Sequence, residues 1–311
     1  MNWFLTGPLV YAACALLAVG TLYRIAVMCR MPCHLRWDLY PIPGLGPAGS
    51  KYQQAATQDT GCPAGPHRRH RLAELMFMAE EILFLRKVFA QRRGLWIGSW
   101  LMHAGLYLSV CFLALLLAAA LLSLLNLSPG IGQGALAQGL CACTVAIGLC
   151  GLVTGLAGTL WLLALRLSDR GLRSMSDPVS YFNLALLAAI FAAGLAACWG
   201  DPGFAQCRAH LASLLCGRPG VVQSPWLTTA IVLTAIFLAS FPFGRMFHPV
   251  AKYFFYHKIL WDDEPLRPGS AMEQEIGQCL GRRVGWSAEH VVPGGTWLDQ
   301  VQGPGNAEEA T

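Results

Sequence analysis

Five stretches of this chain are each long and apolar enough to cross a lipid bilayer, and no other feature constrains its fold as much. They run approximately over Leu9–Cys29, Leu95–Leu125, Ala135–Leu165, Val179–Gly200 and Trp226–Phe247. A spanning helix needs roughly 20 apolar residues, because hydrocarbon offers no partner to a backbone N–H or C=O and the helix must satisfy its own. Only 13% of the 311 residues are charged and 55% are hydrophobic, against about 25% charged in a typical water-soluble domain. The expected fold is all-α, a polytopic membrane helix bundle with five transmembrane helices. The first stretch reads as a span and not as a removable signal: nothing basic precedes it, it is over-long, and no small-residue cleavage site follows. Residues 1–260, including a loop over 30–94, form the expected membrane domain. Residues 261–311 read as a polar tail too short for a core of its own.

Charge sets the expected orientation. Arg24 stands near the end of the first span and Arg30 and Arg36 follow it, then come Arg68, Arg69, Arg71, Arg86, Lys87, Arg92 and Arg93. Arg166, Arg170 and Arg173 follow the third span, and Arg245, Lys252 and Lys258 close the fifth. The connection Asn126–Gly134 carries no charge, and the loop between spans four and five sets only Arg208 and Arg218 against Asp201. Basic loops stay in the cytoplasm, so the N-terminus is expected outside and the C-terminus inside a cytoplasmic (inner) membrane. The net charge of +5 thus speaks of orientation more than of nucleic acid. After a Pro/Gly-rich loop, Leu72–Phe89 carries apolar residues at helical spacing with charges between them. It reads as an amphipathic helix on the cytoplasmic surface, lying against headgroups or a partner subunit.

Twelve cysteines are present, with no C-x-x-C-H and no C-x-x-C. Covalent c-type haem, ferredoxin clusters and zinc ribbons are thereby excluded. Cysteines within spans read as small apolar packing residues. Cys207 and Cys216 share the expected outer loop, where a disulfide is open to them.

Of eight histidines, His34, His67, His70, His210 and His290 fall in loops and read as solvated. His103 lies within the second span, 22 residues before Leu125, and His248 lies 22 residues after Trp226. At 1.5 Å per residue both lie about 33 Å from the outer surface, near one edge of the apolar layer. Two imidazoles at matched depth on neighbouring helices are what bis-histidine haem b ligation requires; two interfacial histidines bonded to neighbours fit the depth equally well. Gly105, two positions past His103, would let a flat macrocycle approach, and Arg245 would pair with a haem propionate. His257, nine residues past His248, competes as a ligand. It lies further out and reads as part of an aromatic, basic interface belt.

At these residues a family becomes visible. "WLMHAGLYL" and "FPFGRMFH" resemble the haem-binding helices of the respiratory nitrate reductase gamma-subunit family. More closely, "HLRWDLYPIP", "EILFLRKVF" and "AKYFFYHKILWDDEP" resemble the membrane cytochrome b subunits of sulfate-reducer transmembrane redox complexes (Tmc, Hmc and Dsr types). The resemblance implies His103 and His248 as the iron ligands of a haem b nearer the cytoplasm, with electrons exchanged with the menaquinone pool. It implies as partners a cytoplasmic iron–sulfur subunit resembling heterodisulfide reductase, and a periplasmic multihaem cytochrome c. Leu113 and Ala230 stand where that family's second histidine pair would align, so one haem is expected. Arg245, Lys252, Tyr253 and Tyr256 are candidate donors to a quinone carbonyl. A haem-free membrane anchor of the same kind of complex is the alternative. A transporter is disfavoured: no acidic or basic residue lies mid-span, and no pair of Gly/Pro-broken spans stands in corresponding halves.

Overall fold

The computed structural model describes residues 2–31, 42–43, 52–53, 71–125, 135–260 and 268–302. Readings made on His34, His67, His70, the connection Asn126–Gly134 and the "WDDEP" segment fall outside the described residues. Five helices are long and apolar enough to cross a membrane, over Trp3–Cys29, Arg93–Leu124, Gln138–Ser168, Pro178–Gly200 and Pro225–Phe243. The chain divides into two compact units, one of residues 1–24 with 78–248 and the other of residues 25–77 with 249–311.

The first unit is a helix bundle. A short α1 (Asn2–Thr6) leads into α2 (Pro8–Cys29). The end of α3 (Arg71–Phe84) and α4 (Arg86–Gln91) precede α5 (Arg93–Leu124). Then follow α6 (Ala135–Ser168), a one-turn α7 (Arg170–Ser174), α8 (Pro178–Gly200), α9 (Ala205–Leu215) and α10 (Pro225–Ser240). Helix α6 packs between α5 and α8, and α8 between α6 and α10. Lipid offers no hydrophobic drive for one helix to join another, so close van der Waals approach must supply it. Glycines allow that approach here. A Cβ on Gly105 would lie 2.3 Å from the Gly155 backbone, and one on Gly158 2.2 Å from the Met102 nitrogen. Met102, Leu162, Leu184, Leu187 and Phe191 fill the centre. Val110, Leu117, Val153, Leu160 and Phe182 stay exposed, an outer surface suited to hydrocarbon.

Expectation and structure part at several places here. The amphipathic segment is not one helix: Leu85 stands at φ 49° and ψ 45° and divides α3 from α4. A left-handed non-glycine residue is disfavoured by about 1–2 kcal/mol, so Leu85→Gly should raise the thermal midpoint of the chain in detergent. After the higher backbone entropy of unfolded glycine, the gain should be up to about 1 kcal/mol.

The loop between spans four and five is not merely solvated, because it folds into α9. Within it Phe204 packs on Phe112 with centroids 4.6 Å apart. His210 on α9 is buried, and Tyr11 donates to the Leu214 carbonyl. Burial pushes the His210 imidazole below the usual histidine range and outweighs its loose contact with the Thr6 carbonyl. The ring is therefore harder to charge when folded than unfolded. Its contribution to stability is complete above about pH 6.5 and is lost as pH falls through the lower folded value. Thermal melts between pH 7 and pH 5 should show that decline, and His210→Asn should flatten it.

Cys207 and Cys216 are both free thiols. They lie nine positions apart along α9 and its C-cap, about 13 Å by helical rise and beyond the roughly 7 Å that a disulfide can bridge. Burial, with Asp201 adding, pushes the Cys207 thiol up to about 12. Among the span cysteines only Cys198 is buried; Cys14, Cys111, Cys143 and Cys150 lie on exposed helix surface.

The second unit holds the antiparallel pairing of Ile42–Pro43 with Tyr52–Gln53. It also contains α11 (His248–Lys252) beyond its first residue, a π-helical turn Tyr253–His257 and α12 (Lys258–Leu260). His257 is only 2% exposed, with its ring against Phe77 and Tyr256, so it is packed inside this unit instead of lying in an interface belt. The tail is not without a core. Between α13 (Ala271–Leu280) and α14 (Trp297–Gln302) the chain folds back on itself with Val284 and Val291 buried.

Candidate functional site

The fifth apolar stretch does not remain α-helical to its end. Regular α10 stops at Ser240, and two 3₁₀ turns follow, Phe241–Phe243 and Arg245–Phe247. Pro242 has no N–H to continue the ladder, and Gly244 between the turns has an extended backbone, φ −101° and ψ −177°. Phe247, 1% exposed, plugs the bundle beside the break. The break delivers His248 to the start of α11.

His103 belongs to one face of α5 that also carries Trp96, Trp100 and Tyr107, at spacings of four, three and four residues. Three of these residues clamp the end of α3. Trp96 donates to the Phe84 carbonyl at 2.7 Å, Trp100 to Leu83 at 3.1 Å and Tyr107 to Ile82 at 2.9 Å. They satisfy carbonyls that a helix C-terminus leaves without intrahelical partners, and they fix the face on which His103 sits. That "W-x₃-W-x₂-H-x₃-Y" spacing is written in the sequence, but it gains meaning only once the end of α3 lies against it.

His103 and His248, from different helices, meet here. Their ring centroids are 6.0 Å apart and the planes stand at 80°. The Nδ1 of His103 lies 2.7 Å from the Ser99 carbonyl, and that of His248 lies 3.1 Å from the Arg245 carbonyl. A carbonyl only accepts, so each Nδ1 carries the proton and each Nε2 keeps the lone pair. Metal-binding histidines are commonly oriented in this way, by a bond from the other ring nitrogen. Two imidazoles on opposite sides of one metal ion, each at a metal–nitrogen distance of about 2 Å, carry their centroids roughly 6 Å apart. The pair could therefore hold one metal ion between them, as in a bis-imidazole haem. Among the described residues no group of three or more His, Cys, Asp or Glu could hold a metal.

The other expected site residues fare differently. Arg245 is mostly exposed, and its guanidinium lies 3.0 Å from the Asp177 carboxylate, so it is already neutralised. Asp177 is the N-cap of α8, and its bonds with Ser180, with Arg245 adding, hold its carboxyl below the usual range. Gly105 does not serve a ligand: its open side is filled by α6. Two residues along a helix is a turn of 200°, which puts Gly105 nearly opposite His103. Leu113, 52% exposed, faces outward. Tyr253 is exposed, and Lys252 lies over the Tyr256 ring at 5.4 Å.

Comparison with protein-family models, with curated proteins and with solved structures finds no match.

Proposed function

We propose that this chain is the membrane haem b subunit of a multisubunit respiratory oxidoreductase. It passes electrons between menaquinone and a cytoplasmic iron–sulfur subunit resembling heterodisulfide reductase. The observation that carries the reading is the histidine pair: two imidazoles from different helices, 6.0 Å apart, each with Nδ1–H given to a backbone carbonyl. His103 and His248 would hold the iron through Nε2, their backbone bonds keeping both rings oriented and more basic as ligands. A bound haem supplies a one-electron couple. The bundle that carries the pair presents an apolar outer surface suited to hydrocarbon.

The basic ends of the spans would face the cytoplasm, placing the pair near the cytoplasmic edge of the inner membrane. Arg245 would meet a propionate only by sharing the Asp177 carboxylate, which makes it a secondary contact.

The deciding experiment is haem per polypeptide, measured by pyridine haemochrome on the chain purified after expression with haem supplied. A ratio near one is expected. A ratio near zero would overturn the reading in favour of a haem-free anchor, and a ratio near two would require a second ligand pair.

A further inference from the structure

We propose that Arg24 is the positioning residue for His248: from α2 it holds the broken end of the fifth helix in the register that sets His248 against His103. The geometry stands on its own; its functional consequence rests on the haem reading.

The break leaves work undone. Pro242 interrupts the hydrogen-bond ladder, and although the Gly244 amide still reaches the Ser240 carbonyl at 3.1 Å, the extended backbone of Gly244 turns the following amides away from the course a continuing helix would take to the Pro242 carbonyl. In an apolar surround such a group needs a substitute donor. Arg24 is that donor, giving an Nη–H to the Pro242 carbonyl at 3.0 Å. Its guanidinium also lies over the Phe247 ring, 4.9 Å from the centroid. Thus a single side chain touches both 3₁₀ turns, one on each side of Gly244, and the second contact is to the residue that precedes His248.

Gly20 lies one turn before Arg24 on the same face of α2. A Cβ there would come within 2.7 Å of the Pro242 ring, so glycine is what lets α2 come this near. Gly20 provides the approach and Arg24 closes it.

Charged residues inside spans are rare and usually functional. Among the described residues no carboxylate pairs with Arg24; its partners are that carbonyl and that ring. On the far side of the break Arg245 ties the same segment to Asp177 of α8. The segment that carries His248 is therefore held from two helices, by two arginines with different partners. A bond to a backbone carbonyl survives acid that would release a carboxylate, so the Arg24 tie is the one insensitive to pH.

The test is amide hydrogen exchange by mass spectrometry on the full chain in detergent, comparing wild type, Arg24→Gln and Arg24→Lys. In Arg24→Gln, exchange over residues 241–248 should accelerate at least tenfold while 225–240 stays protected. Arg24→Lys, which keeps a charged donor and more of the reach than the shorter, neutral amide of Gln, should fall between the two. Should Arg24→Gln fail to fold, Arg24→Lys alone carries the comparison with wild type. Exchange over 241–248 within twofold of wild type, or an equal rise across all of 225–248, would overturn the proposal. In haem-loaded protein the same substitution should shift the low-spin electron paramagnetic resonance g-values, a signature of ligand orientation that general loosening of the fold would not move. Wild type without haem would sink the function reading and leave the exchange result to decide the role of Arg24.

Discussion

His103→Ala and His248→Ala should each strip haem from the purified chain, with stoichiometry falling at least tenfold. Loss of a residue that merely orients a metal ligand costs about 10–100-fold in affinity, and here a ligand itself is lost. His248 is exposed and His103 only partly buried, so truncation opens no deep cavity and the helix content by circular dichroism should be unchanged. That separation matters, because a misfolded chain would also lose haem. The double variant should retain none. Haem content unchanged in the double variant would end the assignment of this pair, whatever else binds.

Gly158→Val and Gly105→Val should disrupt the bundle more than any other single apolar substitution. At both positions the new Cβ meets backbone and not a side chain: 2.2 Å from the Met102 nitrogen and 2.3 Å from the Gly155 backbone. A side chain can swing aside, whereas a helix backbone cannot move without taking the helix with it. Overpacking a core costs typically 1–3 kcal/mol, occasionally more, and these two should reach about 3 kcal/mol or beyond. Thermal melts in detergent should show it. Gly139→Ala in the same α6, where a Cβ would meet nothing within 4 Å, should be nearly neutral and serves as the control.

Much of the fold was legible because lipid imposes one rule, a long apolar run, and five runs obey it. The seam that joins α5 to α6 was also written, in Gly148, Gly151, Gly155 and Gly158 at helical spacing, but glycine in a span carries no signal unless its face is tracked. The same oversight assigns Gly105 to the ligand, when its angle on the helix points it at α6. The end of the fifth run was harder to read. "FPFG" is apolar, so hydropathy continues through it while the hydrogen-bond ladder does not. A helical count from Trp226 to His248 crosses that break, yet the two histidines still meet, since a few 3₁₀ residues alter the axial rise only slightly. Leu85 had no sequence signature, because local propensity disfavours a left-handed leucine and so gives no reason to expect one. The loop that carries His210 reads as solvated because its hydropathy is modest, yet a short helix there folds back and buries one face.

The break also shortens the element that bears it. Regular α10 has 16 residues, about 24 Å of helix, whereas α6 has 34, about 51 Å. A hydrocarbon layer of about 30 Å fits neither. The long helix can tilt, whereas the short one spans the layer only by drawing the turns of the break, Phe241–Phe243 and Arg245–Phe247, into it. Hydrophobic mismatch therefore acts on the stretch from Phe241 to His248, so lipid chain length becomes a variable in how that histidine is presented. A thicker membrane would pull on it, and a thinner one would leave it at rest.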